Sequence, residues 1–232
     1  WKLTGGDREG TCVLAAYYEL AEDARLHVSR LESGLTKTII YDQRHSVLAA
    51  RARADFYAAE LGGEKIIVHS YGKLSGDASE MNERAIYAGR GKQHLDFFYH
   101  INHVGKKTKA EIDLKGALAD ESKKIFRGTL DFKRGCAGSV GDEGDFAIQL
   151  DPKTKNISLP LLLCTEDDVQ GNHASSAGQL DQNTIYFLMS RGFTLEEARR
   201  IVVEALIRPI IDGMDEALRE EVLNAVRMKL DK

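Results

Sequence analysis

The spacing of the apolar residues changes once along this chain, in the stretch 169–193. Before it, apolar residues come in short bursts such as Leu26–Val28, Ile39–Tyr41 and Ile66–Val68, with Gly, Asp, Asn or Ser close to most of them, which is typical of strands joined by turns. After it, apolar residues recur at helical spacing. We therefore expect a β core over residues 1–170, and a loop followed by helices over residues 171–232.

The β part predicts a repeating architecture. Its strands recur at intervals of roughly 10–15 residues, with small or acidic residues between them. The clearest candidate corners are Glu22–Ala24, Ser75–Ala78 and Gly116–Asp120. Stacked coils of a solenoid suit this pattern, because each coil buries its inner face only against its neighbours. The residues alone leave a β-sandwich equally open, because the repeat is too irregular to fix a period.

Two segments of the β part differ from the rest. Val47–Leu61 is rich in Ala and Arg, which favours a helical turn or two. Gly135–Asp145 is rich in Gly and acidic residues, and it predicts an exposed loop. The Lys and Ser/Thr of a phosphate-binding loop are missing from it, and its acidic residues would repel phosphate.

Capping residues mark the expected helices. Asp181 can begin a first helix that ends near Gly192, and Thr194–Glu197 forms a capping box for a second helix. Pro209 and Gly213 predict a break before a last helix. The faces expected to pack are Leu195, Ala198, Val202 and Ala205 in the second helix, and Met214, Leu218, Val222 and Val226 in the last.

Composition narrows the functional classes. The formal net charge of -4 gives no polybasic footprint, so neither nucleic acid nor an anionic membrane is an expected partner. No apolar run approaches the roughly 20 residues that span a bilayer. Cys12, Cys136 and Cys164 lie far apart, which favours a reducing cytoplasm over a disulfide framework. Trp1, with no initiator Met or leader before it, favours a chain that begins inside a longer gene product.

Two separated motifs resemble a known family. The first is the run His103–Gly128, and the second, over Val169–Phe193, reads V-Q-G-N-H-A-S-S-A-G-Q-L-D-Q-N-T-I-Y-F-L-M-S-R-G-F. In this order and spacing they resemble the last core coils and the C-terminal signature of the SufB/SufD family, the scaffold subunits of SUF iron-sulfur cluster assembly. The resemblance implies a right-handed parallel β-helix core with a C-terminal α-helical module, in a non-enzymatic cytoplasmic scaffold that carries a transient iron-sulfur cluster.

The resemblance also implies two protein partners. The C-terminal helices of the family grip a SufC-type ATPase, which would place that contact at Thr194–Asp212, and a second SufB/SufD-like subunit would complete a homo- or heterodimer. No nucleotide motif occurs in the sequence, so ATP hydrolysis would belong to the partner. The partner-binding candidates are Tyr186, Phe187, Arg191, Leu195 and Val202. Packing of the first helix against the last coil is the alternative for the aromatic pair.

His173 is the candidate cluster ligand. Small residues around it leave the imidazole accessible in a loop, and neutral imidazole is a common iron or zinc ligand. From spacing alone, a hydrogen bond to the loop backbone is favoured, whereas the family has a functional His at this position, near the contact between scaffold subunits. The chain departs from the family at Gly171, often Cys in SufD proteins, and at Ala174, Glu in SufB proteins. It departs again near Asp145, where SufB proteins have the Cys implicated in receiving sulfur. A purely structural, SufD-like adaptor without cluster ligands is therefore the alternative.

Two cysteines are candidates for handling sulfur. Cys136 lies in the glycine-rich segment and is expected to be exposed, where Lys133 and Arg134 would favour its thiolate and the acidic residues after it would oppose this. Cys164 ends an apolar strand and is more typical of a buried small hydrophobe.

The remaining candidates carry weaker signals. His100 and His103 should point to opposite faces of a strand, so they are poorly placed to share a metal, and the pairing of His94 with Asp96 is common by chance. A glycan-active solenoid enzyme would need paired carboxylates, for which Asp96 and Asp113 are candidates. The single Trp, at position 1, makes a sugar-binding platform unexpected.

Overall fold

A computed structural model describes residues 1–230. The strands are β1 (Lys2–Gly5), β2 (Gly10–Leu20), β3 (Arg25–Gly34), β4 (Thr38–Leu48), β5 (Arg53–Glu60), β6 (Lys65–Leu74), β7 (Glu80–Gly89), β8 (His94–His103), β9 (Lys109–Leu118), β10 (Lys123–Phe132), β11 (Ser139–Gln149), β12 (Lys155–Cys164) and β13 (Val169–Gln179). The helices are α1 (Gln182–Ser190), α2 (Leu195–Gly213) and α3 (Glu216–Leu230).

The strands alternate between two parallel sheets. Odd-numbered strands form a sheet in the order β1-β3-β5-β7-β9-β11-β13, and even-numbered strands form a second in the order β12-β10-β8-β6-β4-β2. Each strand lies in register with the strand one coil further on, so that Lys65 lies opposite His94, which lies opposite Lys123. This is a parallel β-helix of stacked coils, as the sequence predicts, and its wholly parallel pairing rules out the antiparallel β-sandwich.

The main core lies between the two sheets. Inward-facing and outward-facing positions alternate along each strand, so of any two consecutive residues one side chain points into the core. Aromatic residues such as Phe56, Phe97 and Phe126 are buried here, and each side chain of this kind stabilises the fold by about 1.5–3 kcal/mol relative to exposure. The coils therefore stack on a continuous apolar interior.

Residues in the left-handed conformation form the corners. Asp23, Arg51, Ala78 and Lys107 have φ between 54° and 61° and occupy the same corner on successive coils. The backbone N–H of Asp23 donates to the carbonyl of Ala50 at 3.0 Å, and Arg51 and Ala78 make the same kind of bond to the next coil. The predicted corners at Glu22–Ala24 and Ser75–Ala78 are confirmed. In Gly116–Asp120 only Ala119 and Asp120 lie beyond the strand.

The helical prediction for Val47–Leu61 is wrong. The segment holds the end of β4, a corner at Arg51 and the whole of β5. Along β5, Ala54 and Phe56 are buried while Arg53 and Asp55 remain half-exposed. This two-residue alternation, completed by pairing with both neighbouring coils, outweighs the helix propensity of Ala and Arg.

The prediction of an exposed loop over Gly135–Asp145 is also wrong. Strand β11 begins at Ser139, and the acidic residues Glu143 and Asp145 are buried inside the coil. The glycines in β11 serve close packing, because a Cβ on Gly141 would press against the side chains of Leu130 and Phe132.

The helix caps are as predicted. Asp181 accepts a hydrogen bond from the Thr184 N–H at 2.8 Å, and Thr194 and Glu197 form the reciprocal capping box. The predicted break before the last helix is confirmed at Gly213, where α2 ends, but Pro209 does not interrupt α2. Pro209 lies on the exposed side of α2, where water can satisfy the carbonyl one turn earlier.

Helices α2 and α3 cover the outer face of the odd-numbered sheet. Val203, Ile207 and Ile211 of α2, with Val222 and Val226 of α3, form a second core with outward-facing residues of β3, β5 and β7. The predicted face of α2 is only partly correct. Ala198 is buried, but Val202 is half-buried and Leu195 and Ala205 are exposed.

In the described part of the chain, no helix combines the length and the apolar character needed to cross a membrane.

Candidate functional site

The last coil leaves one edge of each sheet open. Among the described residues, β12 and β13 each pair with a single neighbour, β10 and β11 respectively. Their outer edges present backbone N–H and C=O groups that can pair with a further strand. Another chain can therefore extend both sheets at this end, and within residues 1–230 β1 and β2 leave the sheet edges at the opposite end unpaired in the same way.

His173 lies near the middle of this open edge. It belongs to β13, opposite Glu143 of β11, so the expected loop is a strand, while the expected exposure of the imidazole is correct. Beside it, the side-chain amide of Asn172 donates to the Asp142 carboxylate at 2.9 Å. Gly171 faces Phe132 and Leu162, and a Cβ there would lie 3.2 Å from the Phe132 ring.

Charged side chains lie inside the coil beneath His173. Lys124 of β10 forms an ion pair with Asp145 of β11 and donates to the Tyr87 hydroxyl at 3.0 Å. Burial lowers the pKa of Lys124, although Asp145 opposes the shift. Glu143 is 3% exposed, and neither of its carboxylate oxygens has a hydrogen-bond partner among the described residues. Burial, and then Asp145, raises the pKa of Glu143 to about 8, so this carboxyl holds a proton at neutral pH.

An apolar stripe extends this end along the outer face of β12. Ile157, Leu159, Leu161 and Leu163 are between 40% and 54% exposed at alternate positions. Four apolar residues exposed side by side on an edge strand are typical of a surface that another protein covers. The sequence predicts the strand but not this exposure, which depends on the position of β12 at the end of the sheet.

The two cysteine environments are the reverse of those expected. Cys136 is fully buried at a corner, where burial raises the pKa of its thiol, so it does not present an accessible thiolate. Cys164 is exposed, because its inward position on β12 has no coil above it. Cys164 therefore joins the open end, while Cys136 belongs to the packed interior.

Helix α1 presents a separate aromatic surface. Tyr186 is 76% exposed and Phe187 55% exposed, with the Arg191 guanidinium 4.9 Å from the Phe187 ring centre. Leu195, at the start of α2, is also exposed. These residues do not pack α1 on the last coil. Val202 is half-buried and contributes less to this surface.

The carboxylates expected for a glycan enzyme do not form a pair. Asp96 lies in the even-numbered sheet and pairs with Arg127, whereas Asp113 lies in the odd-numbered sheet and pairs with Lys115 at 2.8 Å. His103 is buried against Phe132, and burial lowers its pKa to about 4. His100 points to the opposite, outer face of β8, as predicted.

The fold is a parallel β-helix solenoid whose last coil leaves two strand edges unpaired among the described residues. The family model of the SufBD core domain, described as SUF system FeS cluster assembly, matches residues 4–206. The chain belongs to this family.

Three curated relatives are longer than this chain, and the chain matches only part of each of them. SufD of Bacillus subtilis is 26% identical over 88% of this chain and 46% of its own length. A SufBD family protein of Mycobacterium leprae is 24% identical, with 89% and 55% covered. SufB of Bacillus subtilis is 21% identical, with 81% and 40% covered. The chain thus spans about half the length of the curated relatives it matches.

Proposed function

We propose that this chain is a non-enzymatic scaffold subunit of an iron-sulfur cluster assembly complex, and that its last coil pairs with a second SufB/SufD-like subunit. The observation that carries the proposal is the open end of the solenoid, where two unpaired strand edges, the stripe Ile157–Leu163 and His173 lie together. Membership of the SufBD core family supplies the biochemical setting. We place the assembly complex in the cytoplasm, where free cysteines stay reduced.

In this proposal His173 binds iron of the cluster, which is the cargo of the complex. Its exposed imidazole stands on a rigid strand, and a neutral imidazole nitrogen binds iron well. Gly171 and Ala174 offer no ligand beside it. The partner subunit therefore supplies the remaining ligands, and a cluster forms only at the contact between subunits.

The ATPase contact lies on the aromatic surface of α1 and the start of α2. Tyr186 and Phe187 are large, exposed and adjacent, as interface anchors usually are. Since α2 also packs against β5, β7 and β9, a force applied to these helices reaches the coils directly. ATP hydrolysis by a SufC-type partner can in this way move the open end.

The second candidate is a structural adaptor whose residues never touch the cluster. The absence of Cys at 171 and of Glu at 174 favours it. The two proposals share both protein partners and differ only in the role of His173.

Co-purification with a SufC-type ATPase and a SufB-type partner, followed by anaerobic iron and sulfide analysis, tests these proposals. We expect Tyr186→Ala with Phe187→Ala to abolish ATPase capture, and His173→Ala to lower bound iron while the complex still assembles. His94→Ala, which removes another exposed His, is the matched control. Unchanged iron in His173→Ala would favour the adaptor, and no association with either partner would reject both proposals.

A further inference from the structure

A group of charged side chains lies inside the first coils, far along the chain from the open end. Arg30 and Glu32 of β3, Asp42 and Arg44 of β4, and Glu60 of β5 are each 1% exposed. They occupy the same every-second positions along their strands as core residues such as Ile40 and Phe56, so all five point between the sheets. Burying an ion costs several kcal/mol unless partners compensate it. A buried charge in this group that lacked a partner would therefore be strongly destabilising.

The ion pairs in this group use only one oxygen of each carboxylate. Arg30 donates to Glu32 Oε1 and Asp42 Oδ2, and Arg44 donates to the same Asp42 oxygen and to Glu60 Oε1 at 2.8 Å. The second oxygens, Oε2 of Glu32, Oδ1 of Asp42 and Oε2 of Glu60, have no hydrogen-bond partner within residues 1–230. Taking one oxygen from each of the three carboxylates, all three oxygens lie within 4.8 Å of one another.

The charges of the group do not balance without a further cation or bound protons. A fourth carboxylate, Glu83, lies 3.6 Å from Arg44 and is 2% exposed, so four buried carboxylates face two guanidinium groups. With all four ionised, the carboxylates carry two negative charges more than the guanidinium groups, and one divalent cation would neutralise this excess.

Tyr99 gives a second, independent indication of a missing partner. Its hydroxyl is buried and has no hydrogen-bond partner within the described residues, although buried tyrosine hydroxyls usually have one. Tyr99 occupies the same inward row as Arg44, with Ser70 of the intervening coil between them. A water bound to a cation between the carboxylates would be a suitable partner for it.

We propose that Glu32, Asp42 and Glu60 bind a hard divalent cation, such as Mn²⁺, Mg²⁺ or Ca²⁺, inside the β-helix. Three carboxylate oxygens, completed by water, form the ligand set that such cations prefer over softer metals. The cation joins β3, β4 and β5 across the core and is structural. It is independent of the cluster proposed at the open end, because His173 is not part of the site.

Titration of the metal-depleted full chain with Mn²⁺, following the EPR signal of the free ion, tests the proposal. We expect one Mn²⁺ per chain and a higher melting temperature than in chelator. Trp1 supplies an optical signal, because its ring lies 4.1 Å from the Arg30 guanidinium and a bound paramagnetic ion nearby would quench its fluorescence. Competition by Mg²⁺ and Ca²⁺ then identifies the preferred cation.

Glu32→Gln and Glu60→Gln should each weaken Mn²⁺ binding by at least about tenfold, since changes even to the supports of metal ligands cost 10–100-fold. Glu143→Gln, which changes a buried carboxyl outside this group, and His173→Ala should keep wild-type binding. Equal affinity in wild type and Glu32→Gln would overturn the proposal. The proposal would also be overturned if Mn²⁺, Mg²⁺ and Ca²⁺ all left the melting temperature of the wild type unchanged. This measurement does not require any variant to fold.

Discussion

At the scale of single residues, the charged groups of the core are the feature that sequence reasoning missed. Arg44, Glu60, Lys124 and Glu143 occupy inward positions of their strands. The alternation of β4 and β10 contains the signal, because it assigns these residues to the inner face. Which carboxylate meets which cation depends on the pairing of coils and on contacts across the core, and neither can be read from one strand.

The Glu32 carboxyl should make stability depend on pH. Its folded pKa, about 9, lies above the ordinary value of 4.5, so its contribution is complete below about 4.5 and is lost as pH rises towards 9. In chelator, we expect the free energy of unfolding of the wild type to fall between pH 5 and pH 9 by at least about 1 kcal/mol more than that of Glu32→Gln. Urea unfolding at both pH values measures this, and parallel pH profiles would contradict it.

The buried pair Lys124–Asp145 should be sensitive to loss of one partner. Lys124→Met leaves the Asp145 carboxylate buried and uncompensated, so we expect a loss of about 3–5 kcal/mol in the free energy of unfolding. The double variant Lys124→Met with Asp145→Leu should recover much of that loss. Urea unfolding of the wild type, Lys124→Met and the double variant measures this. A double variant less stable than Lys124→Met alone would contradict the prediction.

At the scale of elements, the sequence predicts strands and helix caps reliably where interactions between near neighbours in the chain determine them. Asp181 and Thr194 cap their helices as predicted, because each cap involves a bond between near neighbours in sequence. The predictions for Val47–Leu61 and Gly135–Asp145 are wrong, because their strands are stabilised by coils about 30 residues away rather than by local propensity. Likewise, burial of Cys136 and exposure of Cys164 follow from the number of coils above each residue.

The apolar stripe of β12 should contribute to association and little to the fold. Leu161 is 48% exposed, so we expect Leu161→Glu to change the free energy of unfolding by no more than about 0.5 kcal/mol. Pairing with the partner subunit should weaken markedly, because a charge would be buried in the contact. Analytical ultracentrifugation of the complex measures this, with Lys155→Glu, at the end of the same strand, as the control. Unchanged association would remove the stripe from the interface.

At the scale of the whole molecule, each coil contacts chiefly its two neighbours, so stability should vary along the solenoid. The fold class could be predicted because alternation and corner residues repeat, and the family resemblance decided between solenoid and sandwich. The open end could not be predicted, since exposure of β12 and β13 depends on where the stack of coils stops.

Hydrogen exchange should reveal this gradient. Amides of β6 and β8, which have coils on both sides, should exchange most slowly, and those of β1 and β13 most rapidly. Mass spectrometry of exchanged peptides measures the order. Equal protection from β1 to β13 would show that the chain unfolds as a single cooperative unit instead.

The position of α2 and α3 limits how the number of coils can change. These helices contact β3, β5, β7 and β9 at once, so their combined span fixes the distance between those strands. A coil duplicated within that interval would pull the helices away from the residues they cover. One inserted between β9 and β13 would only move the open end further from the helices. Lengthening of the solenoid during evolution, or by design, is therefore compatible with this helical cover only outside the interval from β3 to β9.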